Sequence, residues 1–239
     1  QTALASLNII SGMHGTYRIG GSEQADFPTI QSAVDALAIG IDGAVTFQIE
    51  SGTYNECVRI PELTGLSATN TLTIESLSGN REDVQIHYES YSPAYGEEYG
   101  VFNILGADYV TLRHLTFYTS CTSFAGIVFV GNISRYITLQ DCYLHAPLVD
   151  SGTDRLRLVY TKANNAENQN NDYFTLTDCL LEGGYIGLYL GGTSYVSYTP
   201  ETGAVVCRNT FRNQGNQSLY VPSESNITIQ GNSFYNDAT

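Results

Sequence analysis

Ile137-Thr138-Leu139-Gln140-Asp141-Cys142-Tyr143-Leu144 and, 37 residues later, Phe174-Thr175-Leu176-Thr177-Asp178-Cys179-Leu180-Leu181 are one phrase written twice. Each half alternates apolar and polar residues, the period-two pattern of a strand with one buried face. The first half recurs as Val45-Thr46-Phe47, Leu72-Thr73-Ile74, Val110-Thr111-Leu112, Ala204-Val205-Val206 and Ile227-Thr228-Ile229, with successive steps of 27, 38, 27, 37, 30 and 23 residues. Steps of this size belong to stacked arrays rather than to a closed globule. The second half recurs as Leu115-Thr116-Phe117, Asn209-Thr210-Phe211 and Asn232-Ser233-Phe234, so the later coils carry a second short strand. Between the halves stands a bend residue, His114, Asp141, Asp178, Arg208 or Gly231, of which Asp and Gly are turn formers. Strands stacked in register with connections of uneven length describe an all-β, right-handed parallel β-helix.

Asp26-Phe27-Pro28-Thr29-Ile30 places Pro near a helix start, and Ile30, Ala33, Val34 and Leu37 have the spacing of one helical face. A short amphipathic capping helix over about 26–39 is therefore predicted, covering apolar side chains and backbone groups that the first coil would otherwise open to water. One domain over 1–239 accommodates the chain, with coils over about 45–235. No capping element follows the last coil, so the natural protein is expected to continue or to have that coil covered by a further domain or another chain.

The chain has 10 basic against 24 acidic residues, a formal charge of −14 that disfavours nucleic acid as a partner, because phosphate binding needs clustered positive charge. No apolar run approaches the roughly 20 residues needed to span a membrane, which argues against membrane insertion. A charged start followed by an apolar run is also lacking, so any secretion signal is expected to have been removed before Gln1. The acidity suits solubility outside a cell and could recruit Ca²⁺, while no cofactor is expected. Cys142 and Cys179 share one inward column with Asn209 and Asn232. Coil spacing permits a disulfide between the two cysteines without fixing its torsion, and buried free thiols with amides bonded along the stack are the simpler expectation. The five cysteines form no CxxC pair and the four histidines no metal-spaced set.

Tyr17-Arg18-Ile19-Gly20-Gly21, the helix phrase Asp26–Leu37 and Ser51-Gly52-Thr53-Tyr54-Asn55-Glu56 together resemble the N-terminal region of pectin lyase-like β-helix proteins of the secreted or surface-displayed bacterial type. The helix phrase also resembles the opening of pectin methylesterases. Gln140-Asp141 is similar to the Gln-Asp pair of those enzymes, with Asp178 one coil on and Arg208 next. A nucleophilic carboxylate beside a protonated one and an Arg is a workable ester-hydrolysing set, since close acids push their pKa values apart. The sequence departs from that pattern, because Cys142-Tyr143 follows where the esterases have Thr-Leu and their Asp-Phe-Ile-Phe-Gly phrase is missing. Aspartate at a bend also has a sufficient reason in turn chemistry.

The insertion His87–Tyr99 carries Tyr88, Tyr91, Tyr95 and Tyr99 with three glutamates, and Ser194–Glu201 carries Tyr195 and Tyr198. Tyr offers a flat apolar face with a polar tip, suited to sugar rings and to protein surfaces. On this reading the chain is expected to be a non-catalytic scaffold or adhesin-like stalk, secreted or on a bacterial surface, that contacts a glycan or protein through these tyrosines. The alternative is a carbohydrate-active enzyme, a pectin esterase or polysaccharide lyase, in which Gln140, Asp141, Asp178 and Arg208 carry the chemistry.

Overall fold

The computed structural model describes residues 11–89, 100–122, 126–150, 156–163, 170–191 and 200–237. It is a right-handed parallel β-helix in which every named strand pair is parallel. Sheet A has eight strands, beginning with Met13–Ile19 and Ile41–Ile49 and ending with Thr228–Gln230. The recurring phrase forms it in register, Thr46 beside Thr73, Thr111, Thr138 and Thr175 in turn. Sheet B has seven strands, from Gly52–Asn55 to Ser233–Tyr235, and contains the second strand of each phrase. Sheet C, six strands from Val58–Pro61 to Gln217–Tyr220, closes each coil. Phe47, Ile74, Leu112, Leu139, Leu176 and Val206 point inward from sheet A and are fully buried.

The bends between sheets A and B carry the predicted column, and its non-glycine members are left-handed: φ is 56° at His114, 47° at Asp141, 59° at Asp178 and 57° at Arg208, with Gly231 at 68°. Such a conformation costs an L-residue about 1–2 kcal/mol, so something must hold it. Just inside the bend, the Cys142 amide donates to Cys179 Sγ at 3.4 Å and the Cys179 amide to Asn209 Oδ1 at 2.9 Å. The Asn209 amide continues to Asn232 Oδ1 at 2.9 Å. A buried ladder thus satisfies the backbone donors that the bend takes out of the sheets. Both cysteines are free thiols, and burial pushes the Cys179 thiol well up.

A second left-handed column stands where sheet C returns to sheet A. Tyr109, Tyr136 and Tyr173 have φ of 54°, 58° and 63°, followed by Gly203 at 78°. Their rings lie face to face at 4.5 and 4.6 Å with interplanar angles of 5° and 4°. A Cβ on Gly203 would stand 2.6 Å from the Tyr173 ring, so the stack ends on the one residue with space for it.

The capping helix is Ile30–Ala36, extended by a 3-10 turn over Leu37–Ile39, with Ile30, Ala33, Val34 and Leu37 buried. Thr29 caps it, accepting from the Ser32 amide at 3.1 Å, and Glu56 on the first coil accepts from the Ile30 and Gln31 amides at 3.1 and 2.9 Å. Gln31 imitates a neighbouring strand: its side chain takes the Arg59 amide at 2.8 Å and gives to the Arg59 carbonyl at 3.2 Å. The exposed edge of sheet C is blunted by that one side chain. The other end is open, with Ile229, Phe234 and Tyr235 of the last coil 47%, 52% and 57% exposed.

Candidate active site

Outward positions on a coil do not have to pack, so chemistry collects there. On sheet B the outward column runs His87, Tyr118, His145, Glu182, Arg212, each beside the next in strict register. Coil stacking makes the rings of this column parallel. His87 lies 4.8 Å from Tyr118 at 13°, and Tyr118 lies 5.1 Å from His145 at 8°. Tyr143, from the neighbouring outward column, packs on His145 at 4.7 Å. Below the rings the column becomes ionic: Tyr143 donates its hydroxyl to Glu182 Oε2 at 2.6 Å, and Arg212 reaches Glu182 Oε1 through Nη2 at 2.6 Å and Nε at 3.0 Å. A groove of about 490 Å³ opens over this group, lined by Tyr118, Tyr143, His145 and Glu182 with Ser120 and Asn213 at its sides.

The electrostatics separate the two central groups. Burial pushes the His145 imidazole down, against a smaller opposing pull from Glu182, so it is neutral at pH 7. Burial alone would push Glu182 up, but the hydrogen bonds from Tyr143 and Arg212 outweigh it and hold the carboxyl below its ordinary value, ionised. Burial, with the bond to Glu182, drives the Tyr143 phenol to about 12, so it stays a donor. A neutral imidazole beside an ionised carboxylate, with fixed donors close by, is the arrangement of a general base whose protonated form is stabilised by its neighbour.

Beside the groove runs the bend ridge. Asp141 binds Arg81 Nη1 at 3.1 Å and His114 Nδ1 at 3.0 Å. Asp178 binds Arg208 through two bonds of 2.7 and 2.8 Å, and Arg208 holds the carboxyl below its ordinary value. The structure therefore brings Asp141 and Asp178 to consecutive coils, the Asp141 amide donating to Thr177 O at 3.0 Å. Gln140 ends its sheet A strand with its carbonyl accepting from the His114 amide at 3.2 Å. The Arg208 clamp favours the ionised form of Asp178. Among the tyrosines expected to touch a ligand, Tyr88 follows the strand Val84–His87 and is 40% exposed. Tyr91, Tyr95, Tyr99, Tyr195 and Tyr198 lie outside the described residues. Among the described residues no three His, Cys, Asp or Glu side chains gather where they could hold a metal ion, and no helix is long and apolar enough to cross a membrane.

Sequence reasoning missed Tyr118, Tyr143, His145, Glu182 and Arg212. The available signal was the shared place of Tyr118, His145, Glu182 and Arg212, two residues beyond the first outward position of each sheet B strand, with Tyr143 at that first position on its own coil. Read as spacings along the chain, His87, His114 and His145 look unrelated; read as coils, His87 and His145 fall in one outward column of sheet B and His114 on the bend ridge beside it.

No family model matches the chain. A pectinesterase of Ralstonia solanacearum is 31% identical over 87 residues, and one of Ralstonia nicotianae is 29% identical over 86. Each match takes in 35% of this chain, which spans only 20% of the length of those proteins. Among solved structures, the rice weevil pectin methyl esterase superposes with a TM-score of 0.63 at 18% identity, covering 98% of this chain and 68% of that one. Pectin methylesterase PemA of Erwinia chrysanthemi gives 0.57 at 14%, covering 95% and 68%. A pectin methylesterase mutant in complex with a hexasaccharide gives 0.58 at 15%, covering 93% and 66%. The fold is that of the pectin lyase-like β-helix proteins, as the N-terminal resemblance implied. The expectation of a non-catalytic scaffold or adhesin-like stalk is overturned, because the proteins similar to this chain in sequence and in fold are pectin esterases, which favour the carbohydrate-active alternative. That expectation rested on missing phrases, and a missing phrase says nothing about chemistry assembled from separate coils.

Proposed function

We propose that this chain is a polysaccharide esterase of the pectin-esterase kind whose ester-cleaving centre is His145 with Glu182 and Tyr143. The observation that carries the reading is His145 in register with Glu182 inside an open groove, the imidazole pushed down by burial and the carboxyl held below its ordinary value by Tyr143 and Arg212. His145 takes a proton from water as the water oxygen attacks the ester carbonyl. Glu182 stabilises the imidazolium so formed, and the imidazolium returns the proton to the departing alcohol. The products are a free carboxylic acid on the polymer and an alcohol. The curated pectinesterases and the hexasaccharide complex support a polysaccharide substrate, and an extracellular place of action is part of this reading.

The test is alcohol release from methyl-esterified polygalacturonate, followed by gas chromatography, with acid production followed in a pH-stat. The folded chain should release alcohol, and His145→Gln should slow it by roughly 10²–10⁴-fold, the range of a lost general base. No release by the folded wild type, or release undiminished in His145→Gln, refutes the assignment.

A further inference from the structure

At the corner where sheet C returns to sheet A, each coil passes a buried polar side chain to the one before it. The Gly106 amide donates to Ser134 Oγ at 2.8 Å, the Ser134 amide to Asn171 Oδ1 at 3.0 Å, and the Asn171 amide to Glu201 Oε1 at 3.2 Å. Neutral acceptors serve the first two steps and a carboxyl the third. Glu201 is fully buried and also accepts from Asn171 Nδ2 at 3.1 Å and Thr161 Oγ1 at 3.1 Å. Its partner in the short ribbon Glu201–Thr202 with Glu224–Ser225 is Glu224, so two carboxyls meet across one coil spacing. One Glu224 oxygen, Oε2, is buried with no partner.

The charges around the pair make matters worse for two anions. Asp172 faces both glutamates and accepts from the Thr202 amide at 3.0 Å. Arg135 lies 3.9 Å from Asp172 on its other side, with its own amide on Asp108. Lys162, next to Thr161 on the strand Arg157–Lys162, is exposed. Among the described residues neither glutamate has a cationic partner. Two like charges one coil apart, one buried and the other half-buried, cannot both ionise at modest cost. Burial first, and the neighbouring acids after it, hold Glu224 up to about 8, and burial holds Glu201 up to about 7.

We propose that Glu201 and Glu224 form a proton-held latch: one shared proton joins the two carboxyls across the coil boundary, and its loss opens the ribbon and loosens the last coil. The ribbon leads through Asn226 into Ile227 and the final strand of sheet A, so that coil is the part it restrains. Raised carboxyl values mean that the folded chain holds protons the unfolded chain has released. The stabilisation is complete below the ordinary carboxyl range and disappears as pH rises to between about 7 and 8.

Two readings test this on the intact chain. Exchange of the Gly203 amide, which donates across the ribbon to Ser225 O at 3.1 Å, should lose roughly tenfold or more of its protection between pH 6 and pH 9, after correction for intrinsic exchange chemistry. Glu224→Gln, which cannot ionise, should remove that loss. Carboxyl carbon titration of the wild type by NMR should show the pair releasing its proton above pH 6. Titration of both groups below pH 5, or an unchanged loss of protection in Glu224→Gln, overturns the latch. The wild-type titration decides the matter if the variant folds poorly.

Discussion

Truncating Asn209 to Ala breaks the buried ladder at its most heavily used rung. Its Oδ1 is the acceptor for the Cys179 amide at 2.9 Å, and its Nδ2 gives to Leu176 O at 2.9 Å and to Asn232 Oδ1 at 3.0 Å. The side chain is 1% exposed, so water does not replace it. A buried donor left unmade costs about 1–3 kcal/mol, and each of the other two bonds contributes about 1 kcal/mol. The expected total is about 3–5 kcal/mol, concentrated at the bend. The molecule also supplies its own control. One coil earlier the same position is Cys179, whose Sγ accepts from the Cys142 amide at 3.4 Å. Asn209→Cys should therefore keep a weak acceptor in place and cost about half as much as Ala. Hydrogen exchange at the Cys179 amide reads the bond directly: about 3 kcal/mol corresponds to roughly a hundredfold faster exchange, because about 1.4 kcal/mol is tenfold. A global urea curve is the weaker probe, since stacked arrays need not unfold in one step. An Ala variant within about 1 kcal/mol of wild type at this amide, or a Cys variant as costly as Ala, would refute the ladder as the element that holds the bend.

Two further outcomes follow from side chains at the cap and the ridge. Glu56→Gln should lower the stability of the first coil by about 1 kcal/mol, the size of a lost charged cap; a thermal midpoint equal to wild type would show that Thr29 alone suffices. Arg208, and the hydrogen bonds it makes, hold the folded Asp178 value below the unfolded 3.8, so this ion pair stabilises above that value and is lost as pH falls through the lowered one. The thermal midpoint should drop below about pH 4, less steeply in high salt and less steeply in Asp178→Asn. An identical acid slope in that variant would remove the pair from the account.

Where the coil repeats its words, the fold is legible in the chain. Sheets A and B, the left-handed bend column and the thiol–amide ladder all derive from one phrase, because an inward residue on one coil must be followed by an inward residue on the next. Sheet C has no such phrase. Its strands Gly100–Leu105, Arg157–Lys162 and Ile186–Gly191 share a position and little sequence, and they follow connections of unequal length. The tyrosine column at the opposite corner runs against local preference, since a bulky residue at positive φ is rare. Stacking with its neighbours sustains each ring, and that support is invisible from one position alone. The site was the least legible part for a related reason. An outward position is free of the core, so His87, Tyr118, His145, Glu182 and Arg212 obey no hydrophobic pattern, and only the register lines them up.

That same register gives the chain two sets of carboxyls with opposite responses to pH. Asp178 is held down by Arg208 and Glu182 by Tyr143 and Arg212, on the outer face of the coils, and their contribution fades as acid protonates them. Glu201 and Glu224 are held up at an inward corner, and their contribution fades as base removes the shared proton. Stability is then greatest between these windows, on the acid side of neutrality. Ester cleavage creates a carboxylic acid that ionises and releases a proton into its surroundings. A site of the kind proposed thus moves its own environment toward the pH at which the last coil is latched, while His145, its imidazole pushed below the ordinary value by burial, sets the limit, because acid that protonates it removes the base.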